Sequence, residues 1–121
     1  MLSAGSPAKV FRTDDGAKTW TPSYANEHPD IFYDAMDFWD EQRGLAMGDP
    51  IDGHFMLMET RDAGRTWVEL PRASRPEAFE GEAGFAASGS CLHAGASGQV
   101  WFASGGSHAR VFRSDDYGAS W

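Results

Sequence analysis

Thr60-Arg61-Asp62-Ala63-Gly64-Arg65-Thr66-Trp67 is one of three related octapeptides in this chain of 121 residues. The other two are Thr13-Asp14-Asp15-Gly16-Ala17-Lys18-Thr19-Trp20 and Ser114-Asp115-Asp116-Tyr117-Gly118-Ala119-Ser120-Trp121. They begin at residues 13, 60 and 114, a period of about 50 residues that is typical of stacked or radially arranged supersecondary units. The repeat therefore predicts a fold assembled from several similar units.

The composition favours a single all-β domain. The 14 glycines and 6 prolines indicate many turns, and the chain has few long apolar helical stripes. Its hydrophobic content of 41% is enough for a buried core. We therefore expect short antiparallel strands rather than helices or disorder.

A short apolar stretch precedes each octapeptide, at 9–12, 55–59 and 110–113. The Asp and Gly that follow predict a tight turn, and each tryptophan is expected to open the returning strand of a β-hairpin. Further strands are predicted at 33–39, 44–48, 90–94 and 99–103. Four antiparallel strands in each period correspond to a blade of a β-propeller.

This layout divides the chain into parts of three blades. The last two strands of one blade are predicted in 1–24, a whole blade in 32–70, a long crossover loop in 71–88, and the first three strands of another blade in 89–121. A propeller closes with about four to eight blades. The sequence is therefore expected to be a piece of a longer chain that supplies the remaining blades of a ring of about six to eight.

The octapeptides resemble Asp boxes, the bacterial neuraminidase repeats with the pattern Ser/Thr-x-Asp-x-Gly-x-Thr/Ser-Trp. The second and third copies match every defined position, whereas the first has Ala17 where the pattern has glycine. With Phe38-Trp39-Asp40 and the segment 44–50 ahead of the second copy, the chain is most similar to bacterial propellers of the photosystem II stability/assembly-factor type. Members of that group often carry the labels oxidoreductase or glycosyl hydrolase.

The repeated residues are expected to be structural, because a catalytic acid is needed once and a turn is needed in every blade. Asp and Ser/Thr side chains accept backbone N–H bonds within such turns, glycine supplies a positive φ, and tryptophan fills the space between strands. Catalytic or calcium-binding roles for the three aspartates are the disfavoured alternative. The residues assigned to the structural motif are Thr13, Asp15, Trp20, Thr60, Asp62, Gly64, Thr66, Trp67, Ser114, Asp116, Gly118, Ser120 and Trp121.

In the families that the chain resembles, ligands lie over the central channel on the face opposite the Asp boxes. The loops predicted there are 23–32, 48–54, 71–88 and 104–109. The loop 71–88 exceeds the length of about 12–15 residues above which loops are usually functional or disordered. The candidate ligand-binding residues on this face are Asp49, Asp52, His54, Glu77, Glu80, Glu82 and Arg110. The competing interpretation is that Asp49-Pro50 and Asp52-Gly53 are ordinary turn dipeptides and that the acidic loop is simply solvated.

Charge and motif content exclude several classes of function. A net charge of −8 argues against nucleic acid as a partner. Cys91 is the single cysteine and the four histidines lack metal-ligand spacing, so neither a metal site nor a cofactor is predicted. No stretch is long and apolar enough for a membrane span, and no leader peptide is visible. A periplasmic or secreted location is expected if the full-length chain has a leader.

Two functions from different classes remain. The favoured one is a non-catalytic binding or assembly scaffold that recognises a protein or carbohydrate over the channel. The alternative is a sialidase-like glycoside hydrolase, which requires an arginine cluster, a tyrosine with a glutamate partner and an acid/base aspartate. An oxidoreductase is not supported, since the chain lacks a dinucleotide-binding glycine motif and a Cys-x-x-Cys pair.

Overall fold

The computed structural model describes residues 1–86 and 89–121, in which every sheet is antiparallel. The described part of the chain contains no α-helix, only 3₁₀ turns such as Arg72–Ser74 and Ala96–Gly98. The all-β class predicted from the sequence is thereby confirmed. The last two residues of the predicted 71–88 loop, 87 and 88, lie outside the described residues.

A four-stranded sheet forms the centre of the molecule. Its strands follow one another in chain order as β3 (Tyr33–Phe38), β4 (Gly44–Ile51), β5 (His54–Thr60) and β6 (Val68–Glu69). Successive strands are joined by short connections, and the order in the sheet is the order in the sequence. This element is therefore a simple antiparallel meander.

Two smaller sheets flank the central one. The first pairs β1 (Ala8–Arg12) with β2 (Thr21–Asn26). The second has the order β11–β9–β8 and consists of β8 (Leu92–Ala94), β9 (Val100–Ala103) and β11 (Val111–Ser114). The first octapeptide begins directly after β1. The other two begin with the last residue of a strand, which is Thr60 in β5 and Ser114 in β11.

The alternation of side chains along β4 and β5 explains why the sheets stack. Leu45 and Leu57 lie on one face and belong to a buried cluster that also contains residues of β8 and β9, such as Phe102. Ala46 and Met58 lie on the other face and belong to a second cluster with residues of β1, such as Val10. Because successive strand residues point to opposite faces, one apolar strand pair provides both interfaces.

The connections at one end of the sheets differ from the prediction. The proposed loop 48–54 was wrong in extent, since β4 runs to Ile51 and β5 starts at His54. Only Asp52 and Gly53 form the turn, and both have positive φ, 50° and 75°. The pair is therefore the tight turn that such a dipeptide favours. The proposed loop 23–32 is likewise shorter, because β2 continues to Asn26.

The sequence did not predict a small sheet inside the long crossover. β7 (Glu82–Ala83) pairs with β10 (Gly105–Gly106), which lies in the connection between β9 and β11. This pairing joins the segment after β6 to the connection between β9 and β11. Backbone hydrogen bonds therefore hold the crossover in place at Glu82 and Ala83.

Candidate functional site

The side chains of each octapeptide hydrogen-bond within their own turn. In the second copy, Thr60 Oγ1 accepts the Gly64 N–H at 2.8 Å. Asp62 accepts the backbone N–H of Thr66 at 2.8 Å through Oδ1 and its hydroxyl at 2.6 Å through Oδ2. The same bonds recur in the other copies, at Thr13, Asp15, Ala17 and Thr19 and at Ser114, Asp116, Gly118 and Ser120.

These bonds stabilise the charged form of each aspartate. The hydroxyl four residues further on is the largest cause, and it lowers the pKa of Asp15, Asp62 and Asp116 to about 2. Both carboxylate oxygens of each residue already accept hydrogen bonds within the turn. A carboxylate in that state is a poor proton donor or acceptor at neutral pH.

The first octapeptide adopts the same turn although its glycine is displaced by one position. Gly16 and Ala17 both have φ of 70°, matching Ala63 (61°) and Gly64 (77°) in the second copy. Two consecutive left-handed residues are therefore required, and either one can be the glycine. The residue with a Cβ bears the strain in each case.

The three tryptophans differ in their surroundings. Trp67 is 7% exposed within the cluster beneath β1, and its indole nitrogen is buried with no hydrogen-bond partner in the part of the chain that the structure describes. Trp121 donates to the carbonyls of Ser74 and Gly118 and packs against Phe102. Trp20 is 42% exposed, so the expectation of a ring buried between strands is wrong for this copy. The described residues place no sheet over it.

The long crossover contacts the central sheet at the turn between β4 and β5, opposite the end that carries the second octapeptide. The Phe55 N–H donates to the Pro76 carbonyl at 3.0 Å, and the Ala78 N–H donates to the Gly53 carbonyl at 2.9 Å. His54 and Glu77 form a single β-bridge, with His54 Nε2 4.0 Å from Glu77 Oε1. The crossover therefore lies across the β4–β5 turn, at the end of the sheet away from the octapeptides.

An ion pair between Glu82 and Arg110 joins the crossover to the chain directly before β11. The Glu82 side chain is fully buried, and Arg110 donates to both of its oxygens, through Nε at 2.9 Å and through Nη2. The Ser104 hydroxyl and the Phe79 N–H, the latter at 3.0 Å, also donate to this carboxylate. The pair with Arg110 is the largest cause that lowers the Glu82 pKa to about 2.

Aromatic rings lie outside this ion pair. The guanidinium of Arg110 lies 4.6 Å from the centre of the Phe79 ring and 4.5 Å from that of Phe112. Phe79 also stacks on His108 with ring centres 4.2 Å apart. Cation–π contacts of this kind add to the hold of the ion pair on the crossover. Even so, Phe79 remains 52% exposed.

The structure brings together some of the predicted site residues and separates others. His54, Glu77, Glu82 and Arg110 form one connected group, because Arg110 Nη2 also donates to the Glu77 carbonyl at 2.8 Å. Glu80 joins the edge of the group through its carbonyl, which accepts the Ser107 hydroxyl at 2.6 Å. Asp52 contributes its carbonyl to His54 and Arg72 and otherwise serves the turn.

Asp49 belongs to a separate group with a residue that the sequence did not single out, Asp34. The pairing of β3 with β4 shifts register between Tyr33 and Ala35, and that of β4 with β5 shifts between Gly48 and Pro50. Asp34 and Asp49 are therefore the unpaired residues of two neighbouring β-bulges. Bulges redirect side chains and are enriched near functional sites.

The backbone of Gly84 closes over these two carboxyl groups. Its N–H donates to Asp49 Oδ1 at 2.9 Å, and a Cβ at this position would lie 2.8 Å from Cγ of Asp34. Asp34 is 8% exposed, and its Oδ2 is buried without a hydrogen-bond partner among the described residues. Burial, and next the charge of Asp49, raise the pKa of Asp34 to about 7.

Tyr24 supplies the tyrosine–glutamate contact that a sialidase-like mechanism requires. Its hydroxyl donates to Glu69 Oε1 at 2.8 Å and lies 3.2 Å from the Tyr33 hydroxyl. Burial raises the pKa of both tyrosines, so neither is predisposed to ionise. Tyr24 and Glu69 belong to β2 and β6, whereas Asp34 is on β3 at the opposite edge of the central sheet.

No protein-family model matches the chain, and no curated protein or solved structure matches it either. Within residues 1–86 and 89–121, no group of three or more His, Cys, Asp or Glu side chains is arranged to hold a metal ion. In the same residues, no helix is long and apolar enough to cross a membrane.

Proposed function

We propose that this chain contributes blades to a non-catalytic β-propeller of the Asp-box type that serves as a binding or assembly scaffold. The repeated hairpins, the four-stranded meander and the stacking of three sheets through alternate faces support this architecture. In this arrangement β3 and β8 are the inner edges of their sheets, and the crossover covers the face away from the Asp boxes.

The observation that carries the scaffold function is how the crossover uses its side chains. Its buried carboxylate, Glu82, is occupied by hydrogen bonds that hold the segment in place. Phe79 and Phe85 are each 52% exposed, and the Glu77 side chain is 87% exposed. A surface of aromatic rings beside carboxylates is suited to binding, and its described residues include no free catalytic pair.

The partner class that fits this surface is a protein segment with basic and apolar side chains. The chain has a net charge of −8, which attracts cationic partners and raises their association rate. The Phe79 ring is already held between Arg110 and His108, so it loses little entropy on binding. A carbohydrate partner would use the rings alone and would gain nothing from the charge.

Selection from a display library of random dodecapeptides tests this proposal. Selected peptides should be enriched in Lys or Arg with apolar residues, and a Phe79→Ala, Phe85→Ala double variant should weaken their binding at least tenfold. Val68→Ala provides the control, because Val68 is an exposed apolar residue of β6 that pairs with Glu59 at the octapeptide end of the central sheet. Selected peptides that bind the double variant as tightly as the parent chain would contradict the proposal.

Glycoside hydrolysis is the second candidate, favoured by one observation. Asp34 holds a proton near neutral pH beside the carboxylate of Asp49, which is the combination that glycosidases use for acid and base catalysis. Gly84 covers the pair and leaves no room for a sugar, which is why scaffolding is preferred. Release of 4-methylumbelliferone from a panel of its glycosides, lost in Asp34→Asn, would establish the enzyme instead.

A further inference from the structure

The Asp34 carboxyl group is buried beside the half-buried Asp49 and has fewer hydrogen-bond donors than it needs. Asp49 Oδ1 accepts the Gly84 N–H, whereas Asp34 Oδ2 is buried and accepts no hydrogen bond from the described residues. A charged Asp34 carboxylate in such a position would lack solvation and would be repelled by Asp49. A proton on Asp34 removes that charge.

Among the described residues, the groups around Asp34 offer no positive charge that could replace the proton. Asp49 faces it from β4, and the thiol of Cys91 lies close enough before β8 for the Asp34 charge to add to the effect of burial in raising the Cys91 pKa. On β7, the carboxylate of Glu82 is already paired with Arg110. Tyr33, the preceding residue of β3, hydrogen-bonds to Tyr24.

The cover over the pair is the backbone on either side of Gly84. This segment is held by β7–β10 pairing on one side and by the Gly84–Asp49 bond in the middle. Gly84 is in close contact with Asp34, and the Met47 methyl group lies on the same side. The segment can therefore stay closed only while the Asp34 carboxyl group beneath it can remain buried.

We propose that Asp34 is protonated while the 82–86 segment is closed, and that this proton keeps the segment closed as a pH-sensitive cover. Loss of the proton leaves a buried negative charge, and lifting of the segment lets water reach it. The segment carries Phe85, so its opening would also move one ring of the proposed peptide contact, but the proposal rests on the burial of Asp34 and its test involves no peptide.

The direction of the pH dependence follows from linkage. The pKa of Asp34 is about 7 when the segment is closed and reverts to its ordinary value of 3.8 when the segment is open. A raised pKa in the closed state means that closure is fully favoured below pH 3.8 and is weakened as the pH rises to about 7. The closed-to-open ratio should fall about tenfold for each pH unit in that window and should then level off.

Amide hydrogen exchange of the ¹⁵N-labelled chain measures this ratio at Gly84, whose N–H forms the bond to Asp49. The protection factor of Gly84, corrected for the intrinsic rate, should fall about tenfold per pH unit between about pH 4 and pH 7. The Leu70 N–H, which donates to the Leu57 carbonyl in the central sheet, should keep a higher protection factor than Gly84 throughout this range. That comparison separates local opening from global unfolding.

Variants and a second signal complete the test. Asp34→Asn cannot titrate and should make the protection of Gly84 independent of pH, whereas Asp30→Asn, at an exposed position, should leave the slope unchanged. The ¹³Cγ signal of Asp34 in the parent chain should titrate near pH 7, whether or not the variant folds. A flat Gly84 profile in the parent chain, an equal slope in Asp34→Asn or titration of Asp34 near pH 4 would each overturn the proposal.

Discussion

Gly84 lies so close to Asp34 that no side chain fits between them: a Cβ on residue 84 would be 2.8 Å from Cγ of Asp34. The contact joins the long crossover to a bulge of β3, two segments separated by most of the central sheet in the sequence. It explains why Asp34 is buried and why its carboxyl group keeps a proton near neutral pH. Several consequences can be measured.

Gly84→Ala should displace the crossover from the carboxyl pair. Once water reaches Asp34, its pKa should fall from about 7 toward the ordinary 3.8. The ¹³Cγ chemical shift of Asp34 across a pH titration measures this change. Ala86→Ser is the control, since residue 86 is exposed and lies two positions away. A pKa that stays near 7 in Gly84→Ala would show that the contact does not cause the shift.

Glu82→Gln should destabilise the chain strongly, because Arg110 would keep its position without its counter-charge. Loss of one partner of a buried ion pair costs about 3–5 kcal/mol, and the partial exposure of Arg110 places this pair at the lower end, about 3 kcal/mol. Urea denaturation provides the free energy of unfolding. Glu80→Gln, at an exposed neighbouring position, should change it by less than about 0.5 kcal/mol. Equal effects of the two variants would show that the ion pair between Glu82 and Arg110 does not stabilise the chain.

Thr60→Val should destabilise more than the equivalent change in the first octapeptide. Thr60 is 1% exposed, so the valine variant leaves the Gly64 N–H buried without an acceptor, at a cost of about 1–3 kcal/mol. In Thr13→Val, water can replace the hydroxyl because that turn is exposed. Thermal denaturation of the two variants gives the comparison. A larger loss for Thr13→Val would contradict the role assigned to burial.

Acid should unfold the chain in a window set by its hydrogen-bonded carboxylates. The pKa of Asp62 is lowered from 3.8 to about 2, so its contribution is complete above pH 3.8 and is lost as the pH falls through about 2. Glu82 behaves in the same way, from 4.5 to about 2. Melting temperatures between pH 5 and pH 2 should therefore fall less steeply in Asp62→Asn than in the parent chain. A parallel decline would rule out Asp62 as a contributor.

The sequence predicted the sheets well because their determinants are local. Apolar alternation along 55–59 defines β5, and the turn after it follows from Asp62 and Gly64, whose partners lie within four residues. The turn at Asp52 and Gly53 was assigned to a loop that was too long. The sequence alone did not show that Pro50 pairs with Phe55 and so extends both strands.

The carboxyl pair could not be predicted in the same way. Asp34 sits in a strand whose alternation gives no sign of a bulge, and its partner Asp49 is fifteen positions away by the numbering of the two residues. Glu82 was selected for its negative charge on a long loop, yet its burial depends on Arg110, which directly precedes β11. Contacts between distant segments decide which carboxylates are free, and a single sequence does not contain them.

The central claim is that the octapeptides hold the fold together while binding takes place at the other end of the sheets. The dissociation constant of a selected basic dodecapeptide, measured by isothermal titration calorimetry, tests it directly. Phe79→Ala with Phe85→Ala should raise this constant at least tenfold with little change in melting temperature. Asp62→Asn should lower the melting temperature and leave the constant unchanged. Loss of binding in Asp62→Asn at a temperature where it remains folded, with full binding in the phenylalanine variant, would contradict the account.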